Sequence, residues 1–346
     1  LPPFASCDGI SDYGGYRASL TSLEPYHGTT WTRAIVRSQA VGGFFLVLDR
    51  IAVREADTYR LTCTWRTPAF AKREGRVWWS EQGDFRFILR CGGSLTSSLS
   101  EERNQGATQP YVLRQEQTGT FEEGALVGFQ NLFRTVRRGE VDRLDLHSTG
   151  PTGALVLEEG QAMAWCGWPE DSMEPVNALF DDADGLWWIS VGEWIGTAVC
   201  KVRGGMGFAV NLQSERPLNV RVDLQAGRIF LEADPVGGRP KGLRLELDGR
   251  AVTGDPFLRE GWPISADPGT AEVLQKMYLK SGHRTPEDAS APRPAPAAIA
   301  GRHPGGTPVP RRLRNLRVAA DPEPSDGFSL QLIDGVDNQA PGLNFS

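Results

Sequence analysis

Short runs in which apolar and polar residues alternate constrain this chain more than any other feature. In Thr58–Arg66, Tyr59, Leu61, Cys63 and Trp65 fall on one side, and Arg60, Thr62, Thr64 and Arg66 on the other. A period of two belongs to a strand with one face buried. Phe44–Val53 is a longer apolar, β-branched run, which predicts a buried strand. Val127–Val136, Ala154–Leu157, Leu186–Val191, Thr197–Val202 and Gly207–Leu212 continue the pattern. Arg76–Trp79 and Phe85–Cys91 flank Glu81-Gln82-Gly83-Asp84, a hairpin loop by composition. Val220–Leu224 and Arg228–Leu231 predict a second hairpin about Gln225-Ala226-Gly227, and Leu243, Leu245 and Leu247 alternate with Arg244, Glu246 and Asp248.

Turn signals recur about every ten residues, the rhythm of a sandwich or barrel. The 40 Gly and 24 Pro favour turns over long helices. No self-similar period of a propeller or solenoid is visible. The expected fold is all-β: one large antiparallel β-sandwich over residues 1–258, supersandwich-like, with one short helix and a Pro-rich linker near the C-terminus.

The helix is expected in a 259–283 extension. Asp267 suits its cap, Pro268 its first turn and Gly282 its C-terminal end. Ala271, Leu274 and Tyr278, with Val273 and Met277, fall at helical spacing. From 284 to 312, Pro, Ala and Gly displace large apolar residues, so an extended linker is expected. Arg314–Ala319 and Phe328–Ile333 look like strands again. The 313–346 segment is expected either to dock on the sandwich or to begin another domain.

Composition excludes several functions. The net charge is −6, and the only Lys/Arg cluster, Arg311, Arg312, Arg314 and Arg317, follows the Pro-rich stretch as a solvated tether would. That is no footprint for a nucleic acid. No apolar run reaches the roughly 18 residues of a membrane helix. Cys7, Cys63, Cys91, Cys166 and Cys200 include no CxxC pair; the last four sit in apolar runs, as buried thiols do. A disulfide between two of them is open, and the odd count leaves at least one thiol free. No leader peptide is visible, and both ends of the sequence read as cuts through a longer protein.

Chemistry-bearing motifs are sparse. No GxSxG, GxGxxG or P-loop occurs. His27, His147, His283 and His303 are far apart. Asp181, Asp182 and Asp184 before Gly185 are candidate calcium ligands, although the full twelve-residue loop is absent. The plainer alternative is an acidic turn entering the next strand. Tyr26 and His27 are a candidate acid/base pair for proton abstraction beside a sugar carboxylate; the alternative is a turn residue and a packed ring. Among ten Trp, the pairs Trp78-Trp79 and Trp187-Trp188 should each turn one ring in and one out. An outward ring can stack on a sugar. The alternative is that both rings of a pair are covered. No cofactor is expected.

The run Tyr26-His27-Gly28, Trp31-Thr32-Arg33, Gly43–Ile51, Asp57–Leu61 and Trp65-Arg66-Thr67 resembles the C-terminal β-sandwich of heparinase II/III-like polysaccharide lyases. Gln130-Asn131-Leu132-Phe133 is similar to a later strand of those sandwiches. The similarity covers about residues 12–160 and fades towards 255. It implies a missing N-terminal helical toroid, β-elimination on uronic-acid polysaccharides, and a secreted, periplasmic or cell-surface location. The family's catalytic Tyr and His come mainly from the toroid and from His-rich and His-Asn-Thr segments of the first sandwich strands. Neither segment occurs here, so no catalytic residue is carried over. Asp49 and Arg50 match the pattern and are expected to form a structural ion pair at a strand end. The chain is therefore expected to be a non-catalytic accessory sandwich that contacts polysaccharide. A stand-alone carbohydrate-binding or structural cell-surface module is the alternative.

Overall fold

The computed structural model describes residues 5–39, 43–67, 71–92, 96–101, 111–171, 179–236, 238–266, 269–280, 314–322 and 328–334. The linker, Asp267, Pro268 and Gly282 lie outside the described residues. In chain order the strands begin with β1 Ala5–Asp12, β2 Tyr16–Tyr26, β3 Thr29–Ser38, β4 Phe44–Val53, β5 Asp57–Thr67, β6 Ala71–Glu74, β7 Val77–Gln82 and β8 Phe85–Cys91. They continue with β9 Thr96–Glu101, β10 Tyr111–Phe121, β11 Leu126–Arg137, β12 Leu144–Ser148, β13 Gly153–Glu158, β14 Gln161–Gly167, β15 Phe180–Ala183 and β16 Leu186–Ser190. The last are β17 Glu193–Gly204, β18 Val210–Asp223, β19 Arg228–Ala233, β20 Arg244–Leu247, β21 Arg250–Ala251, β22 Trp262–Pro263, β23 Arg314–Pro322 and β24 Phe328–Asp334. One helix, α1 Thr270–Lys280, follows β22.

The strands form three sheets. The middle sheet runs β1-β2-β3-β4-β11-β8-β7-β6. The small sheet runs β24-β23-β5-β10-β9, with β23 parallel to β5. The large sheet runs β12-β13-β14-β16-β17-β18-β19-β22, with β15, β20 and β21 paired alongside. The all-β, mostly antiparallel sandwich expected from the alternation is what forms.

Period-two geometry explains the layering. On β4, Phe44, Leu46 and Leu48 join a core with Ala154, Val156, Cys166 and Trp188 of the large sheet. Ile51 and Val53 of the same strand join Tyr59, Leu61 and Cys63 of the small sheet. The middle sheet is thus covered on both faces, which is why Phe44–Val53 is apolar nearly throughout. The large sheet is also buried on both faces. Its far side curls around a third core closed by Val273, Leu274, Met277 and Tyr278 of α1. Ala271 of the anticipated helix stripe is exposed instead.

This layering corrects the expectation for Trp187-Trp188. Both rings are buried, at 0% and 2% exposure. Trp187 packs against Phe180, with centroids 4.6 Å apart, on the α1 side. Trp188 packs against Phe44 at 5.8 Å and Tyr16 at 6.1 Å on the middle-sheet side. Neither faces solvent, because β16 is a central strand with a core on each side. Burying one such ring contributes roughly 4–6 kcal/mol at most.

The anticipated Asp49–Arg50 pair does not form, since neighbours on a strand point to opposite faces. Asp49 faces the small sheet. There its carboxylate accepts Arg33 Nε at 2.6 Å, Arg33 Nη2 at 2.9 Å and Trp31 Nε1 at 2.9 Å, all buried. Burial works against the Arg33 charge, but the Asp49 charge and hydrogen bonds outweigh it and raise the guanidinium above its ordinary value. Arg50 faces the large sheet and pairs with Asp171 in the 3₁₀ turn Pro169–Asp171. All five cysteines are free thiols; Cys63, Cys91 and Cys166 are buried, Cys200 is half-buried and Cys7 is exposed.

Candidate functional site

The β7–β8 hairpin builds one wall of a surface cleft. Gln82 pairs with Phe85, leaving Gly83-Asp84 as a two-residue loop in which Gly83 adopts φ 57°. Alternation splits the first Trp pair as expected. Trp78 is buried towards the small sheet with Leu89, Cys91 and Leu113. Trp79 points the other way, half-buried beside its cross-strand partner Ile88. On the same face β8 presents Arg86 and Arg90. The segment from β11 to β12 crosses between the middle and large sheets, and Gly139–Asp142 form the opposite wall. The open cleft has a volume of about 560 Å³.

Ion pairs fix its guanidinium groups. The largely buried Asp142 carboxylate accepts from Arg90 and, at 2.9 Å, from Arg134 Nη1. Glu81 lies between Arg86 at 3.0 Å and Arg138 at 2.8 Å. Hydrogen bonds from Arg138 and then Arg86 hold Glu81 below its ordinary value. Arg86 Nε has no partner among the described residues. Glu74 and Glu140 at the rim add acceptors. Such a site offers one amphipathic ring, directed N–H donors and carboxylate acceptors. Those are means of holding a hydroxylated ring or its carboxylate.

The acidic triplet is dispersed. Asp182 pairs with Lys201 at 2.8 Å and Asp181 approaches Arg203 at 3.6 Å. Asp184 accepts the backbone N–H of Cys200 at 2.9 Å and of Lys201 at 2.7 Å. It thereby satisfies β17 where the register shifts and Ala198 takes φ 56°. Burial nonetheless raises the Asp184 carboxyl. Each of the candidate calcium ligands Asp181, Asp182 and Asp184 thus has its own partner within the fold. Among the described residues no cluster of metal-ligating side chains occurs.

Tyr26 and His27 are a hairpin. Tyr26 pairs with Thr29, and His27 and Gly28 form the two-residue turn at φ 49° and 74°. Positive φ at both positions is what a type I′ turn requires. A Cβ on Gly28 would stand 2.5 Å from the Tyr59 hydroxyl. His27 is exposed at the turn tip, and the Tyr26 side chain lies outside the described part. Arg86, Arg90 and Asp142 were not anticipated from the sequence. The even spacing of Trp79, Arg86, Ile88 and Arg90 about a hairpin loop was the signal available.

The chain was compared with protein-family models and with curated proteins, and nothing matches. No helix among the described residues is long and apolar enough to cross a membrane.

Proposed function

We propose that this chain is a non-catalytic β-sandwich that contacts acidic polysaccharide, as the accessory part of a larger heparinase II/III-like protein. One observation carries the proposal: half-exposed Trp79 forms a cleft surface beside Arg86 and Arg90. A sugar ring stacks on the indole while the guanidinium groups receive its carboxylate. Asp142 and Glu81 hold those groups in place before any ligand arrives, which lowers the ordering cost of binding.

Affinity electrophoresis in gels containing polygalacturonate or neutral glucan tests this reading. The wild-type chain is expected to be retarded by the polyuronate, and Trp79→Ala to run freely with its thermal stability kept. Equal retardation of both proteins removes Trp79 from the site. Accumulation of unsaturated product would show a catalytic activity the proposal does not include. Upstream coding sequence separates the accessory role from a stand-alone carbohydrate-binding or cell-surface module: a helical toroid supports the first.

A further inference from the structure

The small sheet covers only part of the middle sheet's face. Register places the uncovered apolar residues on a diagonal. Ile10 and Ile35 lie in one row across β1 to β4, with Ser19 between them and the buried Val47 beyond. Phe45 and Phe133 share the next row, then Phe87 beside Thr135, then Phe85 beside Arg137. Exposures are 40% for Ile10, 36% for Ile35, 48% for Phe45, 44% for Phe87 and 48% for Phe85. Five interstrand steps of about 4.8 Å and three two-residue steps of about 6.6 Å give a diagonal of about 31 Å. That is the length of a helix of roughly 20 residues.

One flank of this diagonal is a step made by the small sheet, where Trp65 packs edge-on against Phe133 at 4.7 Å. The other flank is basic. Arg37 lies beside Phe45, its guanidinium 6.0 Å from the ring centroid, and Arg137 lies beside Phe85. Among the described residues neither guanidinium is in an ion pair, although the Arg137 backbone N–H donates to the Glu140 carboxylate at 3.0 Å, and Arg17 of the same row meets Asp12 in an exposed pair. Face-to-face pairing of two copies would bring these arginines together, and like charges across an interface are costly. The stripe lies on a sheet face rather than an edge, so it suits side chains of a helix and not an added strand.

We propose that this diagonal docks an amphipathic helix of a protein partner, with apolar residues on Ile35, Phe45 and Phe87 and acidic residues against Arg37 and Arg137. The surface is distinct from the Trp79 cleft, which opens on the opposite face of the middle sheet, and it does not depend on carbohydrate binding.

Two labelled amphipathic peptides of about 20 residues, each with a Leu face and with either Glu or Lys flanks, are titrated with the full chain by fluorescence anisotropy. The Glu-flanked peptide is expected to bind, and the Lys-flanked one to bind at least about tenfold more weakly. Phe45→Ser and Phe87→Ser, at exposed positions, should each weaken binding roughly tenfold. Arg37→Glu with Arg137→Glu should reverse the preference. The proposal is overturned if the Glu-flanked peptide does not bind or the preference survives charge reversal. It is also overturned if sedimentation shows a dimer that Phe45→Ser dissolves, or if phosphatidylserine vesicles occupy the face in place of either peptide.

Discussion

Removing the Asp49 carboxylate tests the inter-sheet polar contact. Asp49→Ala leaves Arg33 charged and buried and leaves Trp31 Nε1 without its acceptor. Breaking a buried pair on one side costs about 3–5 kcal/mol. An unsatisfied buried N–H adds about 1–3 kcal/mol. The two losses share one site and do not add fully, so about 4–6 kcal/mol is expected. Arg33→Met with Asp49→Leu removes both charges and fills similar volume. It should recover at least about 3 kcal/mol of that loss, because apolar replacement of a buried pair is often neutral. Urea unfolding followed by tryptophan fluorescence and circular dichroism measures both variants. Added salt should hardly change the single variant's deficit, since a buried pair is little screened. A loss below about 1 kcal/mol for Asp49→Ala, or a double variant no more stable than the single, would refute this reasoning.

Three further outcomes follow from local geometry. A Cβ on Gly128 would stand 1.5 Å from the Pro151 carbonyl oxygen, so Gly128→Ala should prevent folding or expel the β12–β13 turn, read by circular dichroism and proteolysis. Asp184→Ala should cost about 2–3 kcal/mol by thermal unfolding, because two backbone donors of β17 lose their acceptor. Burial pushes the Glu170 carboxyl up to about 7 from an ordinary 4.5, against its backbone hydrogen bond and the Arg50 charge. The folded chain therefore holds a proton that the unfolded chain releases, and stability falls as pH rises through that window. With its side chain 35% exposed, solvent screens much of the effect. Glu170→Gln should accordingly gain only about 1 kcal/mol over the wild type at about pH 8 and nothing at about pH 4, in paired unfolding curves.

The fold was legible where one face of a strand is apolar and the other polar. Thr58–Arg66 shows this: Tyr59, Leu61 and Cys63 sit in the inter-sheet core as their spacing indicates. β2 and β10 were less visible, because buried Ser22 and Gln115 break the apolar period. Neighbouring Trp187 and Trp188 mislead any two-faced reading, since nothing local says that β16 is covered on both sides. The cleft was legible only in half. Trp79 and its outward direction follow from the hairpin, but Asp142 reaches Arg90 from fifty-two residues away. The partners of Asp181, Asp182 and Asp184, namely Lys201, Arg203 and the backbone of Cys200, were not legible in the sequence, because they lie on a strand that only folding brings near.

Fluorine NMR of the fluorotryptophan-labelled chain tests the central claim most directly, with the Trp79 resonance assigned through Trp79→Phe. Titration with oligogalacturonate is expected to shift the Trp79 signal saturably while the buried Trp187 and Trp188 signals stay in place. An unmoved Trp79 signal at saturating ligand, or equal movement with a neutral oligosaccharide, would contradict an acidic-sugar site at this cleft.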